Sequence, residues 1–345
     1  MRYIGSKKDL VDFIYGPIRE HDILSGTFCD IFAGTTVVAQ FFKKKGFRVI
    51  ANDIMKYSYV FARTYIGINE TPSFSGLSSV IDKPNLKKVI QFLNSLPPKK
   101  GFIYQNYTFQ GTTNSQFRRN YFSSENAQKI DAIRDTIQLW KDNRIISEDE
   151  FYVLLCSLLE AVPSVSNIAG TYGAFLKIND PRIFKRLLLR PPQLLCYGAG
   201  HECYNEDANQ LIRRISCDIL YLDPPYNTRQ YAANYHILEA IAIWDKKIKN
   251  TKTGLIFWED KKSRYCSKTE CVPALEDLVT NAKCKHILMS YNSEGIIPRD
   301  EIVRILSTRG NVMEYSKTYR RFKSHRRSLQ NTLLKELLFY LKVTK

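Results

Sequence analysis

The sequence predicts an α/β protein: an open, parallel, doubly wound sheet interrupted by a long, mainly helical insertion. Three observations carry that prediction. Near the amino end an apolar run closes in a small acidic turn and passes into an amphipathic helical pattern; a second strand-and-helix pair follows at once; and far downstream a third run, Asp218-Ile219-Leu220-Tyr221-Leu222, ends in Asp223-Pro224-Pro225-Tyr226. Strands alternating with helical patterns are the signature of βαβ units and of a parallel sheet.

In chain order, Thr27-Phe28-Cys29-Asp30-Ile31-Phe32 reads as the first strand, Ala33-Gly34-Thr35-Thr36 as a tight turn, and Val37 to Lys45 as a helix with an apolar face. Phe47-Arg48-Val49-Ile50-Ala51 reads as the second strand, stopped by Asn52-Asp53, and a helical stretch runs to about Ile68. The alternation then breaks. From about 71 to 190 the chain carries Ser, Pro, Lys and aromatic clusters, with helical patterns near 125–142 and 148–162 and few strand candidates. After about Leu194 it resumes, with a helix over 206–215, the strand before Asp223, a helix near 231–247, and strands at Gly254-Leu255-Ile256-Phe257-Trp258 and His286-Ile287-Leu288-Met289-Ser290. The sheet is therefore expected to be assembled from both ends of the chain, residues 1–70 and 191–345, with 71–190 inserted. No internal repeat or long low-complexity segment argues for a solenoid or a disordered tail.

The 345 residues are enough for one large core or two smaller ones. Lys and Arg number 51 against 34 Asp and Glu, a formal charge of +17, which points to a polyanionic partner, nucleic acid ahead of a membrane surface. No apolar run approaches the roughly 18 residues of a membrane span, and the first residues lack a signal-peptide core, so a cytoplasmic protein is expected. The eight cysteines form no Cys-x-x-Cys pair and the five histidines do not stand at zinc-ligand spacing beside them; reduced thiols and no metal are expected, with Cys196, His201 and Cys203 the one conceivable cluster.

Asp223-Pro224-Pro225-Tyr226 follows a buried-strand pattern, so it falls where ligands bind in open α/β sheets, outside the carboxyl ends of the strands. The two prolines stiffen the backbone. Asp223 and the Pro224 carbonyl can accept the protons of a planar amine, and Tyr226 can stack on its ring. An ordinary strand-ending turn is the alternative. Upstream, Asp30, Phe32, Ala33, Gly34 and Thr35 build a strand-to-helix turn that a ligand backbone or sugar can approach closely. It is neither the Gly-x-Gly-x-x-Gly fingerprint nor a phosphate-cradling loop, which argues against NAD and ATP. Asp53 ends the next strand, roughly twenty residues on, the distance of a carboxylate that accepts from ribose hydroxyls. A ribose-bearing cofactor without phosphates, beside a planar-amine pocket, describes S-adenosylmethionine and a nucleobase.

In these motifs, and in their order, the chain resembles the Dam-like class of adenine-specific DNA methyltransferases, and within it the modification methylases of type II restriction systems. Arg2-Tyr3-Ile4-Gly5-Ser6-Lys7 is similar to the amino-terminal motif that touches the cofactor's methionine end, which implies roles for Tyr3, Ser6 and Lys7. Asp30 to Thr35 is similar to the cofactor turn, Asn52-Asp53 to its ribose partner, and Asn205-Glu206-Asp207-Ala208 to the stretch that contacts the cofactor's adenine, which implies Asp207. Tyr231-Ala232-Ala233-Asn234-Tyr235-His236 and Ser290-Tyr291-Asn292-Ser293-Glu294-Gly295 resemble family stretches of the catalytic face. The turn departs from the family pattern in reading Ala-Gly-Thr-Thr where a second glycine is frequent. The resemblance implies a Rossmann-like S-adenosylmethionine-dependent methyltransferase sheet as the catalytic domain and a target-recognition domain in the insertion. It also implies methyl transfer to the exocyclic amino nitrogen of an adenine flipped out of duplex DNA, with Asp223, Pro224, Pro225 and Tyr226 as the catalytic group. No protein partner is then needed for catalysis, and a cognate restriction endonuclease would act separately.

The amino nitrogen is a poor nucleophile because its lone pair is delocalised into the ring. Hydrogen bonds from both amino protons to Asp223 and the Pro224 carbonyl would localise it. No cysteine neighbours the Pro-Pro turn, which argues against thiol addition to a cytosine ring. In the insertion, Gly101-Phe102-Ile103-Tyr104-Gln105-Asn106-Tyr107 and Gln116-Phe117-Arg118-Arg119-Asn120-Tyr121-Phe122 interleave the side chains that read base edges, so Arg118 and Arg119 are the expected readers. Lys177, Arg182, Lys185, Arg186 and Arg190, with Arg320, Arg321 and Lys323, suit phosphates. Arg229, Tyr231, Asn234 and Tyr235 complete the expected nucleic-acid residues; for the two tyrosines a place in the core is the alternative. An adenine methylase acting on RNA, and a catalytically silent nucleic-acid-binding homologue, are the rival readings.

Overall fold

The computed structural model describes residues 5, 7–320 and 333–344, without the side chains of 319, 320, 333 and 334. Seven strands form one mixed sheet: β1 Thr27–Asp30, β2 Arg48–Asn52, β3 Glu202–Tyr204, β4 Cys217–Leu222, β5 Cys284–Asn292, β6 Val312–Arg320 and β7 Leu333–Lys342. They lie in the order β3-β2-β1-β4-β5-β7-β6. The first five neighbours pair in parallel and β7 runs antiparallel between β5 and β6. This arrangement is consistent with a methyltransferase sheet.

The apolar runs of β1, β4 and β5 are continuous rather than alternating because both faces of the sheet are covered. Phe28, Ile219, Leu288, Leu338 and Tyr340 pack on one face with Ile14, Ile18, Val38 and Phe42 of helices Val11–Glu20 and Val37–Lys44. Cys29, Leu220, Ile287, Met289 and Phe339 pack on the other with Leu275, Leu278, Ile302 and Ile305 of helices Cys271–Asn281 and Arg299–Ser307. The chain moves from β1 through β2 to β3 on one side of the sheet and from β4 to β5 on the other. The strand order therefore reverses between β1 and β4, and this opens the crevice where open α/β sheets bind ligands. Asp30 pairs in register with Tyr221, so the residues that follow Asp30 and Leu222 leave the sheet side by side at that crevice.

Among the described residues the chain divides into two compact units. One comprises Glu70–Cys196 and Tyr231–Glu259; the other, which carries the sheet, comprises Gly5–Asn69, Tyr197–Gln230 and the described residues from Asp260 onward. The borders differ from the expected 71–190, because 231–259 goes with the helical unit. The reason is local packing. Helix His236–Ile243 is apolar nearly all round, Arg134 donates to the Ile241 carbonyl at 2.7 Å, and the His236 ring lies against Tyr107 and Tyr121. In the same unit, Ser123 caps helix Ser124–Asp142, and Ser147 with Glu150 forms a capping box on helix Glu148–Ala161.

Three local expectations fail. Gly254 to Trp258 is irregular rather than a strand: Gly254 has φ +66°, its carbonyl accepts from the Tyr107 hydroxyl at 2.8 Å, and Phe257 is exposed. The helix near 231–247 is two pieces, Tyr231–Asn234 and His236–Ile243, the second stopped by Trp244 in the left-handed region. The helix over 206–215 shortens to Ala208–Leu211. No described helix is long and apolar enough to cross a membrane.

Candidate active site

At the carboxyl end of β1 the chain makes a tight turn. Gly34 (φ +50°) and Thr36 (φ +61°) both adopt the left-handed region, which glycine tolerates freely and threonine only under constraint. Ala33 N–H donates to the Asn52 carbonyl at 2.8 Å, and Gly34 N–H to Asp53 Oδ2 at 2.9 Å. The end of β2 therefore holds the turn. Asp53 also accepts from Met55 N–H through Oδ1 at 2.8 Å. Asn52 and Asn205 extend the frame: the Asn52 side chain bonds the Ile31 and Glu206 carbonyls at 3.1 Å, and Asn205 Nδ2 bonds the Asp53 and Ile54 carbonyls. Asp207 caps the short helix that follows through Gln210 N–H at 3.0 Å, and Glu206 is paired with Arg214.

Asp30 is buried and its Oδ1 has no hydrogen-bond partner among the described residues. Burial first, and then the charges of Asp223 and Asp53, push its carboxyl well above the ordinary range. Asp223, on the residue after β4, faces Lys7. The Lys7 ammonium sits 3.0 Å from Asp223 Oδ1 and 2.6 Å from Glu336 Oε1 on β7, and the Ser290 hydroxyl of β5 donates to the same Glu336 oxygen. Lys7 is buried. That works against its charge, but the two carboxylates outweigh the burial and hold its pKa above the usual lysine value. For Asp223 burial dominates and pushes the carboxyl up to about 6, with Lys7 opposing and Glu336 adding to the rise. Tyr226 is partly buried, and its carbonyl accepts from Ile296 N–H at 3.0 Å, tying the Pro-Pro turn to the segment after β5. Phe32 packs edge-on against Tyr265 at 5.0 Å.

The structure thus gathers Lys7, Asp30, Phe32, Ala33, Gly34, Thr35, Asp53, Asp207 and Asp223 to Tyr226 on one unit, around the reversal point of the sheet. Tyr3, Ser6, Arg321 and Lys323 lie outside the described residues, as does the side chain of Arg320, which ends β6. Glu336 was missed. The only sign of it was a lone carboxylate inside the apolar run from Leu333 to Leu341.

The expected nucleic-acid residues divide sharply. Arg118 is exposed, with its guanidinium 5.0 Å over the Phe109 ring; Lys177, Arg229, Lys185, Arg186 and Arg190 are exposed as well. Arg119 is buried at 3% exposure and donates to the Asn106 carbonyl at 3.1 Å and the Thr251 carbonyl at 2.8 Å. A guanidinium so held cannot present its fork to a base edge. Arg182 is held by Asp180 at 2.9 Å. Tyr235 is a core residue at 1% exposure. Its ring stacks on the partly buried Tyr231 at 6.0 Å, and the Asn234 carbonyl accepts from Tyr172 N–H at 2.7 Å.

A family profile described as D12 class N6 adenine-specific DNA methyltransferase matches residues 3–305. The type II methyltransferase M.NlaIII of Neisseria lactamica is 42% identical over 99% of this chain and 98% of its own length. M.FokI of Planomicrobium okeanokoites is 40% identical over 99% of this chain, which spans about half (52%) of that longer protein. M.CviAII of Paramecium bursaria Chlorella virus 1 is 34% identical over 98% of this chain and 97% of its own. With a matching profile over most of its length and relatives above a third identical from end to end, the chain belongs to the D12 class of N6 adenine-specific DNA methyltransferases.

Proposed function

We infer that this adenine-specific DNA methyltransferase takes its methyl group from S-adenosylmethionine and places it on the exocyclic amino nitrogen of an adenine within a short fixed sequence of duplex DNA, as the modification enzyme of a restriction-modification system. The observation that carries the mechanistic part is the Lys7-paired Asp223 at the reversal point of the sheet, beside the Gly34 turn that Asp53 braces.

The residues fit the cofactor. Asp30 Oδ1 is a buried acceptor without a partner among the described residues, suited to a donor carried by a ligand, and Asp53, held at the turn by the Gly34 and Met55 N–H groups, is the carboxylate assigned to the ribose hydroxyls. Gly34 in the left-handed region gives a turn without side-chain bulk, and Asp207 is assigned to the adenine end. When bound, the cofactor supplies an electrophilic methyl on a sulfonium. Asp223 and the Pro224 carbonyl take the two amino protons of the target in hydrogen bonds, so that the lone pair turns out of the ring; Tyr226 stacks on the base. A paired base cannot enter such a pocket, so the adenine is flipped. The sheet unit is assigned to catalysis and the 71–190 segment to target recognition, with Arg118 as a base reader and Lys177, Arg229 and Arg320 on phosphates.

Labelled cofactor offered with duplex DNA, single-stranded DNA and ribosomal RNA tests the reading: label is expected in N6-methyladenine at one sequence context in duplex DNA. Label in RNA alone, or in methylcytosine, overturns it, and cofactor crosslinking without transfer to any substrate would mark a silent homologue.

A further inference from the structure

We propose that Glu336 on β7 is a positioning residue for the reaction: acting through Lys7, it sets the orientation and basicity of the Asp223 carboxylate. The proposal rests on the reading of Asp223 as the acceptor of the amino protons.

Geometry carries it. One ammonium lies between two carboxylates and is closer to the one that cannot touch a substrate: 2.6 Å to Glu336, which is fully buried, against 3.0 Å to Asp223, whose side chain keeps 20% of its exposure. Ser290 donates to the same Glu336 oxygen as Lys7, while Glu336 Oε2 is buried with no partner among the described residues. A buried carboxylate that leaves one oxygen unpaired is costly unless its charge is used. Here it can be used in two ways. It fixes the Lys7 chain, anchored nearby by Leu10 N–H donating to the Lys7 carbonyl at 2.8 Å, so that the ammonium meets Asp223 from a single direction. And it offsets part of the Lys7 charge. A lone lysine would stabilise Asp223 as an anion and make it a weak acceptor; a shared one leaves it more basic.

The other groups around the pair do not duplicate this. Asp30 on β1 and Tyr221 on β4 feel the Asp223 charge, which together with burial holds their protons on. Opposite Glu336 in register, Asn292 on β5 is neutral, and Lys317 on β6 is exposed with its ammonium 5.9 Å over the Phe13 ring. Lys7 is therefore the cation that both carboxylates share among the described contacts.

The test is a pair of charge changes with opposite expected signs. The Asp223 carboxyl is followed by carbon-13 NMR in the cofactor-free protein, and kcat by its pH profile. In Glu336→Gln, which keeps the shape but removes the charge, the Asp223 titration and the acid limb of kcat should both move to lower pH. In Lys7→Met both should move to higher pH. In Glu336→Gln kcat on its plateau should fall about 10- to 100-fold, as for a misplaced reacting group, with the cofactor Kd unchanged within about threefold. An unshifted Asp223 titration in Glu336→Gln, or shifts of the same sign in the two variants, overturns the proposal. So does a loss confined to cofactor affinity. Should Glu336→Gln not fold, Ser290→Ala, which removes the hydroxyl from the same carboxylate, is read by the same titration, and an unmoved Asp223 refutes the role. The NMR readout needs no methyl transfer, so a failure of the proposed function, seen as absent N6-methyladenine, stays distinct from a failure of this inference.

Discussion

The two units differ in how part of their buried charge is satisfied. In the helical unit four large buried polar groups are answered by backbone. Asp131 accepts from the N–H groups of Gly101, Ile103 and Tyr104 at 2.8–3.1 Å. Arg134 reaches the Ile241 carbonyl, Arg119 the Asn106 and Thr251 carbonyls, and Asn126 the Ile183 and Lys185 carbonyls. In the sheet unit Lys43 is likewise held by the Tyr65, Ile66 and Ile68 carbonyls, but at the crevice buried charges answer one another: Asp223 and Glu336 share the Lys7 ammonium, and two acceptor oxygens, Asp30 Oδ1 and Glu336 Oε2, have no partner among the described residues. Charge that ties loops together needs only satisfied hydrogen bonds. Charge kept partly unsatisfied in a crevice is what chemistry uses, because perturbed titratable groups concentrate at active sites.

The largest expected effect breaks that comparison at its sharpest point. Asp223→Ala should lower kcat by at least about 100-fold, the scale of removing one preorganised group that acts in the transition state, while the cofactor Kd stays within an order of magnitude. Single-turnover transfer measured at saturating cofactor checks it; near-wild-type turnover would take Asp223 out of the mechanism. The wild type carries a matching pH signature. As the proposed acceptor of the amino protons Asp223 would have to be ionised, and its pKa is raised to about 6, so kcat should hold above that value and fall as pH drops through it.

On the structural side of the contrast, Asp131→Ala leaves three backbone donors without their acceptor in a buried site and should destabilise the protein by about 1–3 kcal/mol. Thermal unfolding would register this as a lower midpoint. Activity per folded molecule should be unchanged, and a kcat loss in a fully folded variant would mean that this unit, too, holds charge for chemistry.

How legible these two regions were follows from the same contrast. The sheet unit announces itself locally: β1, β2, β4 and β5 are apolar runs that end in acidic or turn residues, and the residues that follow them, Gly34, Asp53 and Asp223, come to the crevice because the parallel topology allows nothing else. What stayed hidden there was non-local. Glu336 reaches Lys7, 329 residues away in sequence, through the antiparallel insertion of β7 beside β5, which no period or spacing signals. In the helical unit the reverse held. Its long helices were legible from their apolar periodicity, but the roles of its polar residues were not. Arg118 and Arg119 are chemically identical neighbours, and only the fold decides that one faces solvent and the other closes a loop. The run Gly254-Leu255-Ile256-Phe257-Trp258 has strand composition, yet among the described residues it has no partner strand, and it bends at Gly254.

A smaller effect sharpens the cofactor side. Asp53 accepts from two backbone groups and braces the Gly34 turn, so Asp53→Ala should weaken the cofactor by about 1.5–3 kcal/mol, the range for a hydrogen bond to a charged group. Calorimetry reads the Kd; kcat at saturation should change far less than in Asp223→Ala. An unchanged Kd would leave Asp53 as a brace only.

The smallest effects come from the basic surface, and they separate three arginine and lysine environments by three different readouts. Arg118→Ala should relax sequence preference at one base pair by about 1–3 kcal/mol, provided it reads a guanine, because its guanidinium is exposed and lies over the Phe109 ring rather than against a carboxylate. Lys177→Ala should weaken binding to every duplex equally and lower the slope of log K against log salt by about one unit, the mark of a single lost phosphate contact. Arg119→Ala should do neither, since its fork already serves Asn106 and Thr251, and should instead cost about 1–3 kcal/mol of stability through those carbonyls. Binding to specific and scrambled duplexes across a salt series, with thermal unfolding of each variant, distinguishes the three. Were Arg119→Ala to change sequence preference while keeping its unfolding midpoint, buried charge in this unit would be functional after all, and the contrast between the two units would fail at its most exposed boundary.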